Sequence, residues 1–229
     1  MADVLYRWPP NAAFGRTIPK TKFYEHASVR TALREKFVSD IQRITWAFKL
    51  ADATIRLQGS QAVPEIQVFA IETKGGDVTN DVLAAIDKSV HFPIIFEVVS
   101  TDRVRMVAAQ KALGGAAPKI RTYFSTAWLP ADVPRQPMPT AVDLPSLHEA
   151  LLAGLLPTKP RAGETVSEAT DRMNTASKLQ REIATLEKKL RTEPQLNRKI
   201  ELRRQLKDRE AALAELTDTA PSTRGWPRR

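Results

Sequence analysis

Apolar positions in the last quarter of the chain recur at heptad spacing. Ala176, Leu179, Ile183, Leu186 and Leu190 advance by three, four, three and four residues, which places them on one seam of a helix. Pro194 interrupts the run. A second seam follows at Leu202, Leu206, Leu213 and Leu216, with Arg209 where an apolar residue is due. A narrow apolar seam between charged flanks cannot form a core alone, so it needs another helix, either its own neighbour or a partner's. The short break Arg191-Thr-Glu-Pro194 favours an antiparallel hairpin over one long rod.

The front of the chain carries a different pattern. A helix is predicted from near Ser28, with Leu33, Phe37, Ile41, Ile44 and Phe48 as its buried stripe. Ala53–Leu57 reads as a short strand and Glu65–Glu72 as a stronger one with alternating faces. A second helix begins near Thr79 and buries Val82, Leu83, Ile86 and Val90. His91–Val99 is largely apolar, which suits a central strand. Strands at Arg103–Ala108 and Lys119–Ser125 follow. The order α-β-β-α-β-β-β predicts an α/β (α+β) fold: a mixed, mostly antiparallel sheet with helices on one face.

Segments without such periodicity set the divisions. Residues 1–28, punctuated by Pro9, Pro10, Gly15 and Pro19, read as an extended N-terminal arm. Five prolines between 129 and 145 mark extended wrapping, and Leu144–Leu156 allows a short apolar helix. The expected organisation is a globular domain over 1–157, a linker over 158–164, a basic helical hairpin or coiled coil over 165–217 and a basic tail over 218–229.

Charge sharpens this division. The net charge is +9; residues 1–157 carry 18 Lys+Arg against 15 Asp+Glu, and residues 158–229 carry 17 against 11. The rear of the chain therefore holds two thirds of the excess. Such a surface favours polyanions, chiefly nucleic acid, although charged flanks are also normal on coiled coils. There is no cysteine, which excludes disulfides and thiolate metal sites, and the three histidines lack metal-ligand spacing. No stretch approaches a membrane span and no signal-peptide pattern opens the chain, so the expected location is the cytoplasm.

Two constellations carry candidate chemistry. Asp52, Glu72 and Lys74 resemble the acid and E-x-K strand of PD-(D/E)xK nucleases, in which carboxylates hold Mg²⁺ and the lysine assists the attacking water. Against this, Asp52 lacks the preceding proline and one strand of that core is missing. Glu72 and Lys74 would also share a strand face as an ordinary ion pair. No cofactor is expected outside that reading. The arm interleaves Arg16, Lys20 and Lys22 with Phe14, Phe23 and Tyr24, a mixture that can grip phosphate and stack on bases. Its simpler reading is that the aromatics pin the arm to the domain. The glycine pairs lie in no nucleotide-binding context.

Phe14–His26, the run Phe37–Leu50, Glu65–Phe69, Tyr123–Pro130 and Glu193–Leu202 together resemble an uncharacterised bacterial domain-of-unknown-function family, the DUF4391-like family. The resemblance spans most of the chain. It implies a small companion encoded beside large helicases and DNA methyltransferases in arrays of the restriction or phage-defence kind, and it carries over no catalytic residue. The resulting expectation is a non-enzymatic accessory subunit of such a complex. Leu179, Ile183, Leu186, Leu190, Leu202, Leu206 and Leu213 would bind a helicase-type partner, and Arg16, Lys20, Lys22, Lys188, Lys189, Arg203 and Arg204 would bind DNA. The alternatives are the Mg²⁺ nuclease and a self-associating structural protein held as a homo-oligomer by its hairpin.

Overall fold

A computed structural model describes residues 3–24, 30–112 and 119–217. The expected helix cap at Ser28, the Gly114-Gly115 pair and the C-terminal tail lie outside the described residues. The chain forms two compact units, Met1–Lys159 and Pro160–Arg229.

The first unit is built on a mixed sheet. Its elements are β1 (Tyr6–Arg7), β2 (Ala13–Thr17), α1 (Thr31–Asp40), β3 (Ile41–Ala51), α2 (Asp52–Ile55) and β4 (Glu65–Thr73). After them come α3 (Asn80–Ser89), β5 (Ile94–Val99), β6 (Arg103–Ala112), β7 (Lys119–Ser125), β8 (Leu129–Pro130), β9 (Gln136–Pro137) and α4 (Leu144–Leu155). The main sheet runs β2-β3-β4-β5-β6-β7, with β8 beside β6. Only the β4–β5 pair along that path is parallel, because α3 carries the chain back across the sheet. The expected mixed, mostly antiparallel sheet is therefore what the chain forms, and β5 is central as expected.

Three sequence expectations need correction. The first helix ends at Asp40, and Ile41–Ala51 is the long strand β3. Its β-branched and aromatic residues suit a pleated surface. Two bulges explain the misleading spacing. The register shifts by one between Ile41↔Thr73 and Arg43↔Glu72, and again between Trp46↔Phe69 and Phe48↔Val68. Each extra residue inverts the alternation. Ile41 and Ile44, three apart, consequently share one buried face, as a helix would also place them. The second bulge sends Phe48 to the other face, where it meets Trp8 at 6.2 Å between ring centroids. The second correction is at Ala53–Leu57, where α2 replaces the expected strand. Thr54 Oγ1 accepts from Ala51 N at 2.9 Å and donates to Lys49 O at 2.7 Å, curling the chain locally. Third, the N-terminal arm is part of the fold: β2 adds an edge to the sheet and β1 pairs with β9.

Both sheet faces are covered. On the expected face, Phe37 of α1 and Val82, Leu83 and Ile86 of α3 pack with Phe69, Ile71, Phe96 and Val98. Glu97, next to Phe96, points the other way and accepts from Trp8 Nε1 at 2.7 Å. Tyr6 lies beside Trp8 at 6.0 Å, and its hydroxyl occupies the space that a Cβ on Gly154 of α4 would need. α4 thus forms a third layer over this second face, so helices cover both faces rather than the one expected from sequence, and it buries Leu144, Leu147, Leu151 and Leu155. Its start is held by Asp143, which accepts from Ser146 N at 2.8 Å.

The second unit is a helical hairpin of α5 (Val166–Thr192) and α6 (Leu196–Thr217), broken at Pro194. Thr165 and Glu168 cap α5 reciprocally. The Arg161 guanidinium donates to Glu215 O and Leu216 O at the other end of the hairpin's path, where carbonyls lack helical partners. Arg209, anomalous in an apolar seam, reaches Glu182 of the facing helix at 3.0 Å. Among the described residues no helix is long and apolar enough to cross a membrane.

Candidate nucleic-acid interface

The β2–β3 edge, the turn at Lys20–Phe23 and the segment after α3 line a cavity of about 500 Å³ that is broadly open to solvent. Its aromatic lining includes Phe23, Trp46, Phe69 and Phe92. Trp46 stands between Phe14, at 4.2 Å, and Phe69, at 6.1 Å, and donates its indole N–H to Phe48 O. The most buried polar residue of the lining is Gln67, which is 4% exposed. Its Nε2 donates to Glu65 Oε1 at 2.5 Å, and Glu65 in turn pairs with Lys49 at 2.8 Å. Exposed Arg16, Lys22 and His91 stand on the rim. The site thus offers aromatic faces inside, an amide at depth and cations at the mouth.

A buried ionic network holds one wall of this cavity. The Lys111 and Asp87 side chains are 1% and 0% exposed, with Nζ and Oδ1 2.5 Å apart. Tyr123 donates its hydroxyl to Asp87 Oδ2 at 2.6 Å. Lys111 also donates to Asp87 O and to Phe92 O at 2.9 Å, fixing the segment that follows α3. Burial pushes the Asp87 carboxyl up against the pull of Lys111, pushes the Lys111 ammonium down, and raises the Tyr123 phenol.

Residues 7–213 match the family described as a domain of unknown function, DUF4391. The chain belongs to that family. No curated protein and no solved structure matches it.

In this DUF4391 chain the residues singled out by sequence separate into distinct groups. Arg16 and Lys22 reach the cavity rim, but Lys20 does not. Lys20 Nζ donates to Ile41 O and Lys74 Nζ donates to Val38 O, each at 2.7 Å. Both lysines therefore satisfy carbonyls at the C-terminal end of α1, where cations are favoured. Burial, then the neighbouring Lys74, lowers the pKa of Lys20. Glu72 is taken by Arg43 Nε at 2.8 Å. Asp52 opens α2 at the far end of the β3–β4 pair, beyond the Ala51↔Glu65 register. Seven residues separate that point from Glu72, roughly 23 Å along a strand. Asp52, Glu72 and Lys74 are thus not brought together, and the described residues contain no cluster of three or more His, Asp or Glu side chains suited to a metal ion.

On the hairpin, Lys188, Lys189, Arg203 and Arg204 are exposed. Lys189 joins Lys178, Arg181 and Arg209 around a groove of about 590 Å³ between α5 and α6. Leu179 is buried, and Ile183, Leu186, Leu190, Leu202, Leu206 and Leu213 are half-buried. The two helices pack against each other. Leu196 and Ile200, one helical turn apart on α6, are 69% and 58% exposed.

Sequence reasoning missed Gln67, Phe92 and the Lys111–Asp87–Tyr123 network as parts of one site. Lys111 and Asp87 are 24 residues apart on a strand and a helix, and no local pattern joins them. Trp46 was visible as an aromatic, but assigning it to a helix concealed the edge it shares with Phe14 and Arg16.

Proposed function

We propose that the chain is a non-catalytic accessory subunit of a bacterial DNA-processing complex of the restriction-like or anti-phage kind, acting in the cytoplasm. Its globular unit holds single-stranded DNA, and its hairpin docks a large helicase-type partner. The observation carrying this reading is the meeting of Arg16 and Lys22 with half-buried Trp46 and Phe92 around one cavity. Cations at a mouth and aromatics within are the combination that binds an unpaired strand, phosphates to the former and base faces to the latter. The exposed Leu196–Ile200 pair gives the hairpin an apolar contact for a partner in addition to its self-packed seam.

The test is fluorescence anisotropy of the full chain with a labelled single-stranded oligonucleotide, repeated as salt is raised. Binding should weaken steeply with salt. The double variant Arg16→Glu, Lys22→Glu should lose about tenfold or more in affinity at low salt, with a salt slope shallower by about 0.7 for each phosphate contact removed. Undiminished affinity and slope in that variant would remove the basis for this reading.

A further inference from the structure

Gln67 gives the cavity a means of distinguishing bases. Its carboxamide orientation is set by its neighbour: an ionised carboxylate only accepts, so the nitrogen must face Glu65. The salt bridge from Lys49 holds Glu65 in that role. The amide oxygen is left on the other arm of the carboxamide, and Gln67 lines the cavity. Among the described residues this oxygen accepts no hydrogen bond, and it is not one of the fully enclosed unpartnered atoms, so although Gln67 is almost wholly buried the oxygen keeps an opening to solvent. An accessible acceptor with no donor of its own in the protein can take a hydrogen bond from a ligand that brings an N–H group.

The layout sets the direction of such a ligand. Of the lining residues Arg16 and Lys22 are exposed, Trp46 and Phe92 are half-buried, and Gln67 is almost wholly buried. A nucleotide enters with its phosphate outside and its base inside. We propose that the cavity seats one unstacked base of a single strand, and that Gln67 Oε1 accepts a hydrogen bond from the base's exocyclic amino group. Adenine and cytosine carry that group and thymine does not. The site therefore prefers amino-bearing bases. This rests on the single-strand reading above and adds a base preference to it.

The experiment measures binding of the full chain to labelled dA, dC and dT homo-oligomers of equal length. The dA and dC strands should bind roughly five- to tenfold tighter than dT, the contribution of about one hydrogen bond. Gln67→Leu should bring dA and dC down to the dT level. A second arm uses only the unaltered protein, so it decides the matter even if that variant does not fold. One dA placed within a dT strand should tighten binding, and an abasic site at the same place should not. Equal affinity for all three oligomers overturns the base preference while leaving the general grip on DNA standing. A preference that survives in Gln67→Leu overturns the role of Gln67, and absence of binding to any oligomer overturns both readings.

Discussion

The globular unit and the hairpin use the same residue types for different ends. In the globular unit Phe37, Phe69 and Phe96 are fully buried, and area removed from water dominates. In the hairpin α6 buries no residue, and α5 buries only Val166, Ala169, Thr170 and Leu179. Caps and ion pairs therefore carry more of its definition: Arg161 on the last carbonyls of α6, Arg172 on Glu164 and Arg209 on Glu182. Lysines divide in the same way. Lys20, Lys74 and Lys111 are committed to backbone carbonyls inside the globular unit, whereas Lys188 and Lys189 face water. Cations available to a ligand cannot be counted from net charge; the count depends on which ammonium groups the fold has already used.

The largest effect should come from breaking the buried pair. Lys111→Met leaves the Asp87 carboxylate enclosed without its counter-ion and should cost about 3–5 kcal/mol in chemical denaturation. Adding Asp87→Asn should recover most of that loss. A cost near that of a surface pair for Lys111→Met would erase the contrast between the two units.

Acid should separate the units next. Burial, aided by Lys111, lowers the His148 pKa to about 4 from 6.5. The unfolded chain then takes up a proton that the folded chain refuses. Stability of the globular unit should therefore be complete above pH 6.5 and decline as pH falls toward 4. Glu164 is held down to about 2 from 4.5, first by its hydrogen bond from Arg172. Its contribution is present above pH 4.5 and is lost as pH falls through 2. Near-ultraviolet circular dichroism, reporting tryptophan packing, should weaken before the far-ultraviolet helical signal does. His148→Leu should flatten the earlier change; simultaneous loss of both signals in both proteins would contradict the separation.

The smallest effect belongs to the hairpin. Arg172→Ala should cost on the order of 1 kcal/mol or less, as partly shielded ion pairs do. It should also return the Glu164 titration toward 4.5, read from its carboxyl resonance. An unmoved titration would show that Arg172 is not what holds Glu164 ionised.

Legibility in the sequence followed the range of the interactions. The Glu65–Thr73 strand, the helix after Thr79 and the α5–α6 pair were readable because alternation and heptad spacing act between near neighbours. Ile41–Ala51 was misread because two bulges give a strand the three-residue spacing of a helix, and bulges exist only through the partner strand. The candidate cavity was half visible: Arg16 and Lys22 stood out as cations among aromatics, while Gln67 looked like any polar residue in a strand.

By itself the sequence determined the mixed, mostly antiparallel sheet with its central apolar strand, the helical hairpin that follows it along the chain and the rearward concentration of charge. Each depends on composition or on periodicity within one element. The tertiary structure alone decided which cations remain available, that Asp52 stands apart from Glu72, and that residues from Arg16 to Phe92 surround one cavity. Those outcomes depend on register and on contacts between residues tens of positions apart, where a lysine finds a helix end or a glutamate orients an amide only after the sheet has formed.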